Sequence, residues 1–223
     1  MTINIITIYP DFFISATRFS ILKRAQEKGL IKFNIINLRD FAEDNYKSID
    51  DHPYGGGPGM VMMLPPIYRA LQSLNINENV ILPSAKGEQW AQSMAKDFST
   101  KDEITFIVPH FEGIDERVTE NFINYEICVG PYVLSGGEFP TMTIIDTIVR
   151  LIPGALGNPE SLVEESFSFD SDSEKEYPQY TKPQEFHIQD DKILRVPNVL
   201  LSGDHKKIEA WRQEKRKKVT NTE

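Results

Sequence analysis

Scarcity frames this chain of 223 residues. It holds one cysteine. An internal disulfide is therefore excluded, and a reducing, cytoplasmic compartment is expected. The four histidines (52, 110, 187 and 205) are scattered, with no partners at ligand spacing, so no metal site is expected. Cys128 falls inside an apolar strand-like run and reads as a small core residue. No stretch approaches the roughly 18 apolar residues of a membrane helix, which leaves no expected membrane partner. The opening MTINIITIYPDFF has neither a basic start nor a long apolar run. It reads as a first strand rather than a signal peptide.

Several chemical signatures are missing as well. The Tyr54–Met60 stretch, YGGGPGM, has no Gly-Lys-Ser/Thr after it, so it is a shaped loop and not a phosphate loop. No G-x-G-x-x-G opens a helix after a strand, and no G-x-S-x-G elbow or Ser/His or Cys/His couple is present. Positive charge is short too: 24 Lys and Arg stand against 33 Asp and Glu, a net charge of −9. That balance argues against broad nucleic-acid affinity. Its distribution is uneven. Residues 160–176 carry seven acids against Lys175, whereas residues 204–218 carry seven bases. Such a basic end permits a local polyanion contact, although a solvated helix face would look the same.

What is present is alternation. With 40% hydrophobic residues the chain can bury a full core. Strand-like runs at 3–8, 31–38, 79–84, 103–109 and 125–130 alternate with helical patterns at 17–28, 65–74, 88–98, 114–123 and 139–152. This spacing predicts an α/β fold, a parallel sheet with helices on both faces. The pattern changes at Pro153-Gly154. The expected organisation is a sheet domain over 1–157, an acidic, serine-rich linker over 158–178, and a small helical piece over 179–223.

Open parallel sheets bind ligands beyond the carboxyl ends of their strands. Three such ends carry loop chemistry here: Leu82-Pro83-Ser84, Pro109 through Gly113, and Gly130 through Pro140. The last contains Ser135-Gly136-Gly137-Glu138. Two adjacent glycines at a strand end mean either a tight strand-to-helix turn or a ligand touching the backbone. The residues alone leave the two readings even.

Taken in order, IITIYPDFF, DDHPYGGGPGMVM, FEGIDERV, GPYVLSGGEFP, IDTIVRLIPGALGN, EESF, EYPQYTKP and VPNVLLSGDHKKIEAWR span nearly the whole chain. Together they resemble the bacterial tRNA (guanine-N1-)-methyltransferases, the TrmD family of the SPOUT class. The resemblance implies a parallel-sheet SPOUT domain with a deep trefoil knot and a small helical C-terminal domain. It also implies an obligate homodimer with the active site at its interface, S-adenosyl-L-methionine as cofactor, and tRNA as substrate. Matched residue by residue, the cofactor loops are Leu82, Pro83 and Ser84; Pro109, Phe111 and Glu112; and Val129, Gly130, Tyr132, Leu134, Gly136, Gly137 and Pro140. On this reading the adenosyl group is what approaches Gly136 and Gly137.

The implied reaction methylates N1 of the guanosine 3′ of the anticodon. N1 carries a proton at neutral pH, so a base must remove it and a cation must stabilise developing charge. The matching positions are Glu165 and Arg150. On the residues alone, Glu165 is one more acid in an acidic stretch and Arg150 a helix-end cation. Lys206, Lys207 and Arg212 become phosphate contacts, with Trp211 and Ile208 anchoring their helix. The best-known members read Cys-Gly-Arg-Tyr-Glu-Gly where this chain has Val108 through Gly113, and Pro131 stands where an aspartate is expected. An active methyltransferase, and a degenerate member that dimerises and binds tRNA without efficient catalysis, are both open readings of these departures.

Overall fold

A computed structural model describes residues 1–157, 176–188 and 192–216. The chain falls into two compact units, Met1–Gly157 and Asn158–Glu223.

The first unit is built on a five-stranded sheet of β1 (Thr2–Thr7), β2 (Lys32–Asn37), β5 (Val80–Gln89), β6 (Glu103–Ile107) and β7 (Tyr125–Cys128), in the order β2-β1-β6-β5-β7. Every pairing in it is parallel. Burial on both faces explains why these strands read as near-continuous apolar runs. Alternate residues serve opposite faces. Ile3, Ile5, Ile104 and Phe106 point to one core, where they meet α1 (Pro10–Ala16), α2 (Ser20–Glu27), α4 (Gln92–Phe98) and α6 (Glu138–Val149). Ile6 and Ile107 point to the other, with α3 (Leu64–Ser73) and α5 (Glu116–Phe122). A polar ladder crosses the sheet: Asn34 Nδ2 donates to Asn4 Oδ1 at 3.1 Å, and Asn4 Nδ2 donates to Thr105 Oγ1 at 3.1 Å. These bonds satisfy the buried amide of Asn4.

Three boundaries differ from the sequence reading. A separate helix, α1, precedes the one expected over 17–28. Pro10 starts it, at a position where its missing N–H costs nothing. The expected strand 79–84 continues to Gln89, because β5 loops out and re-pairs: Pro83 and Glu88 both face Ile127 of β7. The helix expected from 88 therefore starts only at Gln92. A short antiparallel ladder, β3 (Asp50–Asp51) with β4 (Val61–Met62), closes the glycine-rich loop at its base.

The second unit is not purely helical, which corrects the expected helical end piece. An antiparallel pair, β8 (Glu185–His187) with β9 (Ile193–Arg195), precedes α7 (Asn198–Leu201) and α8 (His205–Lys215). Leu194 and Phe186 pair across it, and Arg195 Nε donates to Glu185 Oε1 at 2.8 Å. Asp204 caps α8, accepting from the N–H groups of Lys206 and Lys207. Those bonds hold its carboxyl below the usual carboxylate range.

Candidate functional site

Three strands that are neighbours in the sheet, β6, β5 and β7, end on one edge because all run the same way. Their outgoing loops enclose a cleft of about 400 Å3. Leu82, Pro83 and Ser84 line it from β5, and Pro109, Phe111 and Glu112 from β6. Val129, Gly130, Tyr132, Leu134, Gly136, Gly137 and Pro140 complete it from β7 and the turn into α6. The fold thus brings every residue of the expected cofactor loops to one place. Arg150 closes the other end of α6 as its C-cap residue. Glu165 lies outside the described residues.

The loop after β6 is a constrained wall. Phe111 adopts a left-handed backbone, φ 58°, a strained conformation for a non-glycine residue. The glycine-rich loop braces it. Glu112 N donates to Met60 O at 3.0 Å, Met62 N to Gly113 O at 2.9 Å, and Asp115 N to Met62 O at 2.9 Å. Asp115 then caps α5 and takes a fork from the Arg117 guanidinium, Nε at 2.9 Å and Nη2 at 2.6 Å. The Arg117 guanidinium holds the Asp115 carboxyl below the usual carboxylate range.

The Gly136-Gly137 question has a concrete answer. Gly137 is in an ordinary helical conformation, φ −83°, so left-handed geometry is not what requires it. A Cβ on Gly137 would strike the Pro109 ring. A Cβ on Gly136 would strike the Glu138 carboxylate and come within 2.6 Å of His110 Nδ1. The groups that meet the missing side chains are thus the protein's own, and both glycines also line the cleft. Gly137 N also donates to Pro109 O at 2.7 Å, tying the two loops together.

Two features of the cleft escaped the sequence reading. Lys86, on the looped-out part of β5, stands 3.0 Å from Glu116 Oε2 and 3.8 Å from Glu126 Oε1. Its hydrogen bond to Glu116 raises it above the ordinary lysine value. The second is a His110–Glu138 pair, Nδ1 to Oε1 at 3.3 Å. Only the glycine before Glu138 hinted at a crowded neighbour.

In the second unit the three expected phosphate contacts differ in their surroundings. Lys206 is exposed and enters no ion pair among the described residues. Lys207 pairs with Asp204 at 3.2 Å. Arg212 is half-buried, lies over the Tyr177 ring at 4.8 Å and faces Glu209 at 3.8 Å. Trp211 packs edge-on against Tyr180, with ring centroids 6.2 Å apart.

Among the described residues no cluster of metal-ligating side chains occurs, and no helix is long and apolar enough to cross a membrane. The family model described as tRNA (Guanine-1)-methyltransferase TrmD matches residues 1–223. A protein of Carboxydothermus hydrogenoformans named tRNA (guanine-N(1)-)-methyltransferase is 47% identical over 100% of this chain and 84% of its own length. Proteins of the same name from Dictyoglomus turgidum and Clostridioides difficile are each 46% identical. Both alignments cover 99% of this chain, with 86% and 94% of the respective relative.

Proposed function

The chain belongs to the tRNA (guanine-1)-methyltransferase family, and from that premise we propose that it transfers a methyl group from S-adenosylmethionine to N1 of the guanosine 3′ of the anticodon. The observation that carries this reading is the cleft at the carboxyl ends of β6, β5 and β7. Its volume, about 400 Å3, falls in the range of roughly 300–1,000 Å3 typical of small-molecule sites. Its walls suit the cofactor: apolar Leu82, Pro83 and Leu134, an exposed Tyr132 ring, and main chain at Gly130 and Gly136.

When bound, the cofactor supplies a methyl that its sulfonium already makes electrophilic. The protein's part is orientation and proton handling. Gly136 and Gly137 let the turn before α6 close against the loop after β6, which fixes two walls of the cleft relative to each other. Glu165 would take the N1 proton during the methyl transfer. Arg150 stabilises charge on the base during that transfer. The guanosine leaves its stack to reach the cleft.

The trefoil knot and the homodimer belong to the same proposal. Support for a threaded backbone comes from the doubled pairing of β5 with β7, where a Cβ on Gly87 would sit 2.5 Å from the Glu126 carbonyl oxygen. Support for self-association comes from the exposed Tyr9, Phe19 and Phe139. The C-terminal unit contributes Lys206 and Lys207 to tRNA phosphates. The deciding experiment is methyl transfer from labelled S-adenosylmethionine to a tRNA transcript with guanosine 3′ of the anticodon, beside an adenosine control. Label in the first and not in the second is expected. Label in neither would overturn the reading.

A further inference from the structure

We propose that His110 and Glu138 act as a positioning pair for the cofactor cleft, clamping two of its walls most firmly when the imidazole is protonated. The inference rests on the S-adenosylmethionine reading above and adds a residue to it. His110 belongs to the loop after β6, and Glu138 is the first residue of α6. The walls they join, Pro109–Gly113 and Ser135–Gly137, both face the cleft.

The pair is built in. Glu138 is 8% exposed, unusual for a carboxylate. Its Oε1 and the His110 Nδ1 are both buried, and neither makes a hydrogen bond among the described residues. Their 3.3 Å separation suits an ion pair rather than a well-formed hydrogen bond. A buried carboxylate without a partner is costly, so the imidazole is the group that compensates it. Gly136 leaves them room, since a Cβ there would strike both.

Among the residues that line the two clefts bordered by His110, Lys86 is the one lysine or arginine. From the start of α1, Tyr9 packs edge-on to His110 at 5.1 Å, and Asp11 lines a second cleft beside it. Phe111 packs edge-on at 5.0 Å, and Glu112 follows on the same loop. Lys86 pairs with Glu116 and Glu126. The other charged residues lining those clefts, Asp11, Glu112, Glu116, Glu126 and Glu138, are acids.

Histidine changes charge between about pH 5 and 8. Protonated, it makes a charge-assisted contact about twice as strong as a neutral one. Neutral, it leaves Glu138 less compensated and the two walls less firmly joined. Affinity for the methyl donor is thus higher with the imidazole protonated and falls as it loses its proton.

The test is calorimetry of S-adenosylmethionine on the full chain between about pH 5.5 and 8.5, for wild type, His110→Arg, His110→Gln and Glu138→Gln. The cofactor's own amino group titrates identically in all four, so ratios to His110→Arg remove it. In those ratios wild type is expected to lose roughly threefold or more in affinity across the range. His110→Gln and Glu138→Gln are expected to be weak at every pH, with the dependence gone. His110→Arg, which keeps a cation, is expected to bind tightly at the alkaline end. Parallel pH profiles in all four proteins would overturn the proposal, because a merely structural pair lowers affinity by a constant factor. Wild-type binding at no pH would overturn the cofactor reading itself, an outcome distinct from pH-independent binding.

Discussion

The two units of this chain solve different problems. In Met1–Gly157 the site is made of short loops at the ends of buried parallel strands, and both sheet faces are covered. In the C-terminal unit, Tyr177 is the only buried hydrophobic among the described residues. Its short elements are held by an N-cap, a cross-strand ion pair and rings packed edge-on. A rigid scaffold can hold a small ligand to within an ångström. A lightly buried unit is suited to a large, charged partner whose many contacts can supply the missing order. The difference fits the proposed function, with cofactor geometry in the first unit and grip on RNA in the second.

The sharpest way to break that division is Glu165→Gln, which keeps size but cannot accept a proton. Turnover on tRNA should fall about a hundredfold or more, the usual scale of a general base. Cofactor affinity by calorimetry should stay at the wild-type value. Full turnover in this variant would move the proton acceptor elsewhere, first among the acids of the cleft.

Next in size is Gly137→Ala. Its Cβ meets the Pro109 ring. Overpacking of this kind costs roughly 1–3 kcal/mol. Both melting temperature and cofactor affinity should fall, because Pro109 is a wall as well as a neighbour. A melting drop with unchanged affinity would mean that the turn is structural only.

The second unit is probed by charge. Replacing Lys206 and Lys207 with alanine should weaken tRNA binding and flatten its salt dependence, by roughly 0.7 in the log–log slope for each phosphate no longer neutralised. S-adenosylmethionine affinity should not change. Arg212→Ala tests a different role, since its guanidinium lies over Tyr177. Cation–ring pairs are worth from about 0.5–1 kcal/mol at exposed sites to about 2 when desolvated. That variant should lower the unit's resistance to proteolysis more than it lowers the salt slope. An equal fall in slope for all three cations would mean that Arg212 contacts phosphate as the two lysines do.

The smallest expected effect is at Asp115. Its carboxyl is held below the ordinary value by Arg117, so the stabilisation it gives is present above about pH 4 and is lost as pH falls through the lowered value. Asp115→Ala should cost about 1 kcal/mol at neutral pH by removing the α5 cap. Wild type and variant should converge in melting temperature under acid. A gap that persists at low pH would place the contribution in packing.

Much of this was legible in the sequence, for physical reasons. Buried parallel strands must be apolar on both faces, so INIITI and EITFIV stand out whatever follows them. Loops after parallel strand ends gather on one edge, and Leu82, Pro109 and Gly130 line one cleft there. Other features depend on meetings between distant residues and carry no local signal. Pro83 and Glu88 share one partner on β7, and nothing in PSAKGE announces that. His110 and Glu138 are far apart in sequence and meet only through the fold. The β8–β9 pair was missed because EFH and ILR are short and mostly exposed. The meaning of Gly136-Gly137 was half legible: crowding was evident, but not what crowds.

The strand order carries a consequence for synthesis. β1 can pair with β2 early, but its other neighbour is β6, and β5 then lies between β6 and β7. A chain emerging from the ribosome can form the β1–β2 edge long before Tyr125–Cys128 exists, and only the arrival of β7 and α6 completes the third wall of the cleft. Long-range parallel pairings of this kind are slow to form. The cleft is therefore the last part of the sheet whose residues are synthesised, and occupancy by a small molecule would report that folding of the unit has finished.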